Sequence, residues 1–498
     1  MSILKKLASE TALYGISSIV GRVLTYLLVP LHTHIIYGFK PSEFGILTVL
    51  YAYVAFLNII YTYGMETSFF RFANLDKTNQ DKIYQQIQTQ IIITTSFFTL
   101  IFLFSADFLN SYFKYGINGS LYIRFLALIL FFDTIVALPF AYLRLQQKAK
   151  RFAFIKIVNI FLTVFLNLFF LLICPILKKN GFNAIDFIYH PRFSIGYVFL
   201  ANLISSFVTI FFLLDILIKK YKISWQWQTL QPILNYGYPL LFMGLAGTVN
   251  SMLDKILLER WLPDNFYENQ TQLDAVGIYG AAIKMGVLMT LAVQAFKYAA
   301  EPFFFGQSQD KNAPQLFAKV MLYFVMVCAV MWVGVCVNLP LITYLFLSNP
   351  KYHQALSLVP MMLLSNLILG IYFNLTIWFK LTDKTYYGTY IATFGASCTL
   401  LSNLLLIPLI GYWACVFTTF LTYLLMTMLC EYYGKRFFPV PYNWNKIILY
   451  LIVGGFFIFI NQFFSFQNVY LNFVVGNMIW ITYTIILLTN EKVKMKLF

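Results

Sequence analysis

Charge is what this sequence has least of. Of 498 residues, 11% are Asp, Glu, Lys or Arg and 60% are hydrophobic, whereas a soluble domain is about a quarter charged. No soluble core absorbs that much apolar surface, which excludes a set of water-soluble domains. Carboxylates are scarcer still, 19 against 35 Lys and Arg, for a net charge of +16. No Walker A pattern occurs, so no nucleotide-driven motor is encoded here, and no HExxH occurs, which removes the common zinc-hydrolase signature. The six cysteines (Cys174, Cys328, Cys336, Cys398, Cys415 and Cys430) lie in or beside apolar runs and form no CxxC. They read as small hydrophobes rather than disulfide partners or metal ligands, and no cofactor is expected. A small-residue cleavage site after the first apolar run is also missing. That run therefore reads as an uncleaved first span, with the short amphipathic MSILKKLASE lying in the interface.

What is present is a series of apolar runs of the length a helix needs to cross about 30 Å of hydrocarbon. Fourteen are predicted, near 11–36, 43–70, 86–109, 121–143, 153–174, 194–218, 232–258, 275–301, 317–338, 355–379, 386–408, 410–433, 447–464 and 468–489. The segments joining them are short, with too little chain for a soluble or catalytic domain. With the N-terminus in the cytoplasm, 24 Lys and Arg fall on the cytoplasmic side and 8 outside. That asymmetry fixes the orientation, puts both termini inside, and assigns the net charge to the membrane surface rather than to nucleic acid. The remaining three cations, Arg22, Lys255 and Lys284, lie within spans. The histidines, His32, His34, His190 and His353, fall at or beyond the outer face. Aromatics at 19% offer sugar-stacking surfaces or reflect an AT-rich coding sequence.

The chain also repeats. GMETSFFRF (64–72) closes span two, and AAEPFFFGQ (299–307) closes span eight. The segment 143–171 aligns with 379–407, with Arg144 on Lys380, Lys148 on Lys384 and Asn167-Leu168 on Asn403-Leu404, and YG at 14–15 answers YG at 236–237. Six spans separate each pair, so the copies share orientation, and substrate sites in such repeats lie where the copies meet. The expected fold is all-α: two six-helix lobes in a V, 1–222 and 223–436, followed by spans thirteen and fourteen with a cytoplasmic tail, 437–498. Polar residues recur on single helix faces: Ser18, Arg22 and Thr25 on span one; Tyr51, Asn58, Thr62 and Glu66 on span two; Asp133 on span four. Asn250, Ser251, Asp254 and Lys255 mark span seven, and Lys284, Gln294, Tyr298 and Glu301 span eight. Such stripes avoid lipid and face a bundle interior or a water-filled cavity; interhelical hydrogen bonding is the alternative reading for the uncharged ones.

The N-terminal stretch as far as Phe72 carries a specific resemblance. Arg22-Val23-Leu24 after a small residue, Pro30 in span one, Glu43-Phe44-Gly45 opening span two and Gly64 with Phe70-Arg71-Phe72 closing it resemble the polysaccharide flippases. These bacterial transporters of undecaprenyl-pyrophosphate-linked oligosaccharides belong to the multidrug/oligosaccharidyl-lipid/polysaccharide exporter superfamily. The lipid II flippase branch is similar at 21–24 but has a second arginine where this chain has Leu28. The drug exporters of the superfamily usually have twelve spans.

The resemblance implies a non-enzymatic flippase of the cytoplasmic membrane, working by alternating access and coupled, if at all, to an ion gradient. Its partners would be the lipid-linked oligosaccharide, membrane lipids and polysaccharide-assembly proteins such as a glycan polymerase, and it would act as a monomer. A diphosphate-linked sugar needs a hydrated cleft with fixed cations, and arginine grips phosphate with two donors. Arg22, Lys255 and Lys284 are the expected cationic site, because deep carboxylates look too few to neutralise all three. Glu66, Asp133, Asp254 and Glu301 are the candidate ion-coupling groups. Ser18, Thr25, Tyr51, Asn58, Thr62, Asn250, Ser251, Gln294 and Tyr298 are the expected lining. A drug exporter, a lipid II flippase and a membrane glycan polymerase or ligase remain the alternatives.

Overall fold

The computed structural model describes residues 19–307, 310, 312–464 and 468–491, and the regular structure among them is entirely helical. Eleven helices are long and apolar enough to cross a membrane, and two bent pairs raise the number to 13. The bent pairs are Ala184–Phe193 with Gly196–Phe211, turning by 116°, and Gln272–Met285 with Val287–Gln307, turning by 49°. The shorter apolar helix Ile19–His32 occupies the place of span one. Each of the fourteen sequence spans thus coincides with a helix, a bent pair or this shorter helix, although on length alone the structure supports 11 to 13 crossings. MSILKKLASE, the YG at 14–15, Ser18 and the lysines after 491 lie outside the described residues. The exteriors are apolar, with Phe104 84%, Phe108 70%, Leu405 70% and Leu409 71% exposed. Large side chains left out in this way are stable only against lipid, and this is a multi-pass membrane protein.

Helix ends depart from the apolar runs for local reasons. Span three, read as 86–109, is the helix Gln80–Phe113, because polar flanks at the interface continue helical hydrogen bonding past the hydrocarbon. Span one is interrupted at 27–28 and resumes as Val29–His32, since Pro30 cannot donate to the ladder. Pro41 opens the helix Pro41–Thr62, where Glu43 accepts from the Lys40 amide at 3.0 Å.

Two compact units form, and they do not follow chain order. The first holds the described residues up to His32, Ile36–Arg260 and Tyr267–Gly277; the second holds Thr33–Ile35, Trp261–Phe266 and the described residues from Ile278 onward. Helix Trp227–Trp261, the seventh span, packs in the first unit up to Arg260. The core of the first unit is built around Phe69, Tyr84 and Tyr142, with ring centroids of Tyr84 and Tyr142 5.2 Å apart. In the second unit, indole and phenol tips find backbone acceptors: Trp332 to Pro360 O at 2.9 Å, Trp480 to Val330 O at 2.9 Å and Tyr483 to Tyr450 O at 2.9 Å. Without water inside the bilayer these donors need such partners.

Two glycines set the first unit's closest crossings. Gly45 lies so near helix Gln272–Met285 that an added Cβ would overlap the Leu273 carbonyl oxygen. Gly64 adopts φ +75° at the break between Pro41–Thr62 and Met65–Leu75, and a Cβ there would stand 2.9 Å from the Gly237 carbonyl oxygen. Gly64→Ala combines a left-handed backbone with overpacking, and is expected to cost about 1–3 kcal/mol. The check is a lowered melting temperature of the detergent-purified protein, with Gly116→Ala as control, whose Cβ meets nothing within 4 Å; the control reports the backbone cost alone, and an equal shift for both would contradict the crowding at Gly64.

Candidate functional site

The charged residues predicted inside spans do not share one environment. Arg22 is exposed on the first helix and makes no hydrogen bond or ion pair with described residues. Lys255 is 9% exposed and donates to Asp254 Oδ1 at 2.9 Å and to the Ser251 carbonyl at 3.0 Å. Of the few carboxylates within spans, Asp254 is the one that partners Lys255: two adjacent buried charges satisfy each other, as buried ions must. Lys284 is half-buried in the last turn of Gln272–Met285, just before the bend at Gly286, and belongs to the second unit.

The carboxylates come with cations as well. Glu66 pairs with Arg144, not with Arg71, whose guanidinium stacks over Tyr236 at 4.1 Å. Asp133 accepts from the Ser206 hydroxyl and lies within electrostatic reach of Lys156. Both Asp133 and Lys156 are exposed. Tyr51 completes this region through a 3.0 Å bond from Asn202. The charge asymmetry of the sequence puts Lys156 among the cytoplasmic cations, whereas in the structure it lies two turns into the helix Ala149–Leu168. Glu301 lies in helix Val287–Gln307 and its side chain is outside the described set.

The polar lining divides. Thr25 bonds to Gly21 O at 2.8 Å, Thr62 to Asn58 O at 2.7 Å and Ser251 to Gly247 O at 3.2 Å. These hydroxyls satisfy themselves on their own helices, while Asn58 and Tyr298 are exposed and Asn250 is buried. Gln294 Oε1 is buried and finds no acceptor role among the described residues.

A cluster that sequence reasoning misses sits at the end of Trp227–Trp261. Glu259, 8% exposed, accepts from Tyr115 at 2.8 Å and Tyr53 at 3.4 Å and pairs with Arg260 at 3.5 Å. Arg260 stacks over Phe113 at 4.2 Å. Tyr53, Phe113 and Tyr115 also border an apolar cavity of about 210 Å3, floored by Leu57, Phe102 and Leu130. The signal available is Glu-Arg at 259–260 closing an apolar run, which by itself reads only as an outer-face charge. Among the described residues, no three His, Cys, Asp or Glu side chains gather to hold a metal.

Residues 39–175 match the sequence profile of the family described as polysaccharide biosynthesis protein. No curated protein matches the chain. Among solved structures, the lipid II flippase MurJ in an inward closed conformation is similar with a TM-score of 0.73 at 12% identity, covering 96% of this chain and 99% of its own. The chain has the fold of the MOP superfamily. An inward-facing MATE multidrug transporter of that superfamily gives a TM-score of 0.60 at 13% identity over 83% of this chain and 94% of its own. Its outward-facing counterpart gives 0.54 at 14% identity over 86% and 94%. By their titles these structures are a flippase and multidrug transporters.

Proposed function

We propose that the chain is a flippase that carries an undecaprenyl-pyrophosphate-linked oligosaccharide from the inner to the outer leaflet of the bacterial cytoplasmic membrane. The observation that carries this reading is Arg22: a permanent cation within an apolar helix, exposed, with no ion pair among described residues. A charge within an apolar span is costly unless it is compensated, and an anionic cargo would supply that compensation. The profile match over 39–175 favours a glycan cargo over a drug. Lipid II is the second reading, favoured by the likeness to MurJ; against it, Leu28, where that branch has arginine, is 4% exposed and part of the core.

Arg22 takes the pyrophosphate in this reading, with Lys255 and Lys284 as further cations of the transport cycle. Ion coupling falls to Glu66, Asp133, Asp254 and Glu301. Glu66, Asp133 and Asp254 each stand against a cation, so a proton or sodium ion taken up by the carboxylate would free its partner for phosphate. Cargo binding and ion binding are then reciprocally linked. The lobes 1–222 and 223–436 would alternate access, as a monomer supplied by polysaccharide-assembly proteins.

Orientation is tested directly: cysteines at Lys179 and Lys351 should react with an impermeant thiol reagent from outside, and one at Lys150 should not. Labelling at 150 from outside would reverse the assignment. Function is tested by complementation. In a bacterium lacking its polysaccharide flippase, the chain should restore surface glycan; accumulation of lipid-linked glycan on the inner leaflet despite full expression would oppose the reading.

A further inference from the structure

The hairpin formed by Gly119–Leu145 and Ala149–Leu168 holds two cations, Arg144 and Lys156, in a fixed arrangement of their own. Phe140 and Arg144 lie one turn apart on the first helix, and Phe152 and Lys156 one turn apart on the second. The cations cross over: Arg144 lies over Phe152 at 5.8 Å, and Lys156 lies over Phe140 at 4.3 Å. The two rings meet edge to face at 5.2 Å. Arg144 is held from another side by Phe70, 4.9 Å away. An aromatic shelf therefore positions two cations, and their charges act on each other. Arg144 has a carboxylate partner in Glu66, and Asp133 lies within electrostatic reach of Lys156. Neither cation is sealed off, since the Arg144 and Glu66 side chains are 34% and 39% exposed and Lys156 is exposed too. The joining turn carries Lys148 and the first turn of the second helix Lys150, both exposed, and Arg151, which bonds Asp215 at 2.7 Å.

We propose that this hairpin is an entry site for diphosphate head groups, in which Arg144 exchanges Glu66 for the oxygens of one phosphate and Lys156 takes the other. The exchange costs little, because an accessible ion pair contributes little to stability. A phosphate presents more charge and more acceptors, and the bonds it takes from a guanidinium and an ammonium are charge-assisted. The shelf fixes both cations in advance, so little side-chain freedom is lost on binding. The exposed Lys148 and Lys150 add the basic lip that gathers an anion from the inner leaflet. Two phosphates in series match two cations flanking one ring pair, and a single carboxylate ligand does not. No atom is transferred: the Glu66 carboxylate is released to water or to a proton as the phosphate arrives.

This inference rests on the anionic lipid-linked cargo proposed above, and the test separates the two. The purified protein in lipid nanodiscs is titrated with undecaprenyl pyrophosphate bearing an oligosaccharide and, separately, with inorganic pyrophosphate. The expected result is saturable binding of the lipid-linked ligand, weakened at least tenfold by the double variant Arg144→Gln/Lys156→Gln. Glu66→Gln, which keeps the shape but removes the carboxylate charge facing Arg144, is expected to tighten it several-fold. Inorganic pyrophosphate is expected to compete weakly; competition as strong as the lipid's would show that the site serves a free anion and would overturn the lipid entry role. Unchanged affinity in the double variant, or no tightening with Glu66→Gln, overturns the site while leaving the flippase reading intact. No binding of the lipid-linked ligand by the unaltered protein overturns both. Should the double variant lose its monodisperse peak on size exclusion, the Glu66→Gln arm decides alone, because a merely structural ion pair predicts weaker or equal binding there, not tighter.

Discussion

Arg22→Ala is expected to lower the transport rate of a lipid-linked oligosaccharide by about 30- to 150-fold, as loss of a charge-assisted contact of about 2–3 kcal/mol predicts. Arg22→Lys keeps the charge but loses the two-donor fork, and is expected to fall between the two. Neither variant should unfold the protein, since Arg22 has no bonded partner among the described residues whose loss would disturb packing. Initial rates in proteoliposomes, normalised to inserted protein, give the measurement. Wild-type rates for Arg22→Ala would remove Arg22 from the cargo path.

The second large effect concerns stability. Glu259→Ala removes the acceptor used by Tyr115 at 2.8 Å and Tyr53 at 3.4 Å, and leaves Arg260 beside its rings without the carboxylate. Two phenols lose an acceptor that is itself buried, and the expected loss is about 2–4 kcal/mol. Glu259→Gln keeps an acceptor oxygen and is expected to lose about half as much. Thermal unfolding in detergent reads both, and an unshifted melt for Glu259→Ala would show that the cluster bears no load.

The membrane class, the all-helical fold and the positions of nearly every span were legible because apolar length is a long-range pattern that needs no tertiary knowledge. The opening motif was legible too, and the structure explains why: Glu43 caps a helix and Gly45 admits a neighbouring backbone. In the closing motif Gly64 makes a left-handed turn, and Phe70 and Arg71 stack on Arg144 and Tyr236. These residues specify the fold, which is why they serve as a signature, and they say little about the cargo. Pairing was not legible. Glu66 pairs with Arg144, two helices further along the chain, rather than with Arg71 on its own helix, since partners across helices depend on register and rotation. Lys156 reads as a surface residue because it sits near a helix start, although a lysine two turns into a helix lies about 10 Å inside it.

The most direct measurement of the central claim is leaflet exposure of cargo. Proteoliposomes holding a fluorescent undecaprenyl-pyrophosphate oligosaccharide on one leaflet are sampled with a membrane-impermeant quencher or sugar-cleaving enzyme. The account predicts protein-dependent transfer of the labelled sugar to the opposite leaflet, fast for the wild type and slowed strongly by Arg22→Ala. Transfer no faster than in protein-free liposomes, by protein that moves a cationic drug in the same vesicles, would contradict it.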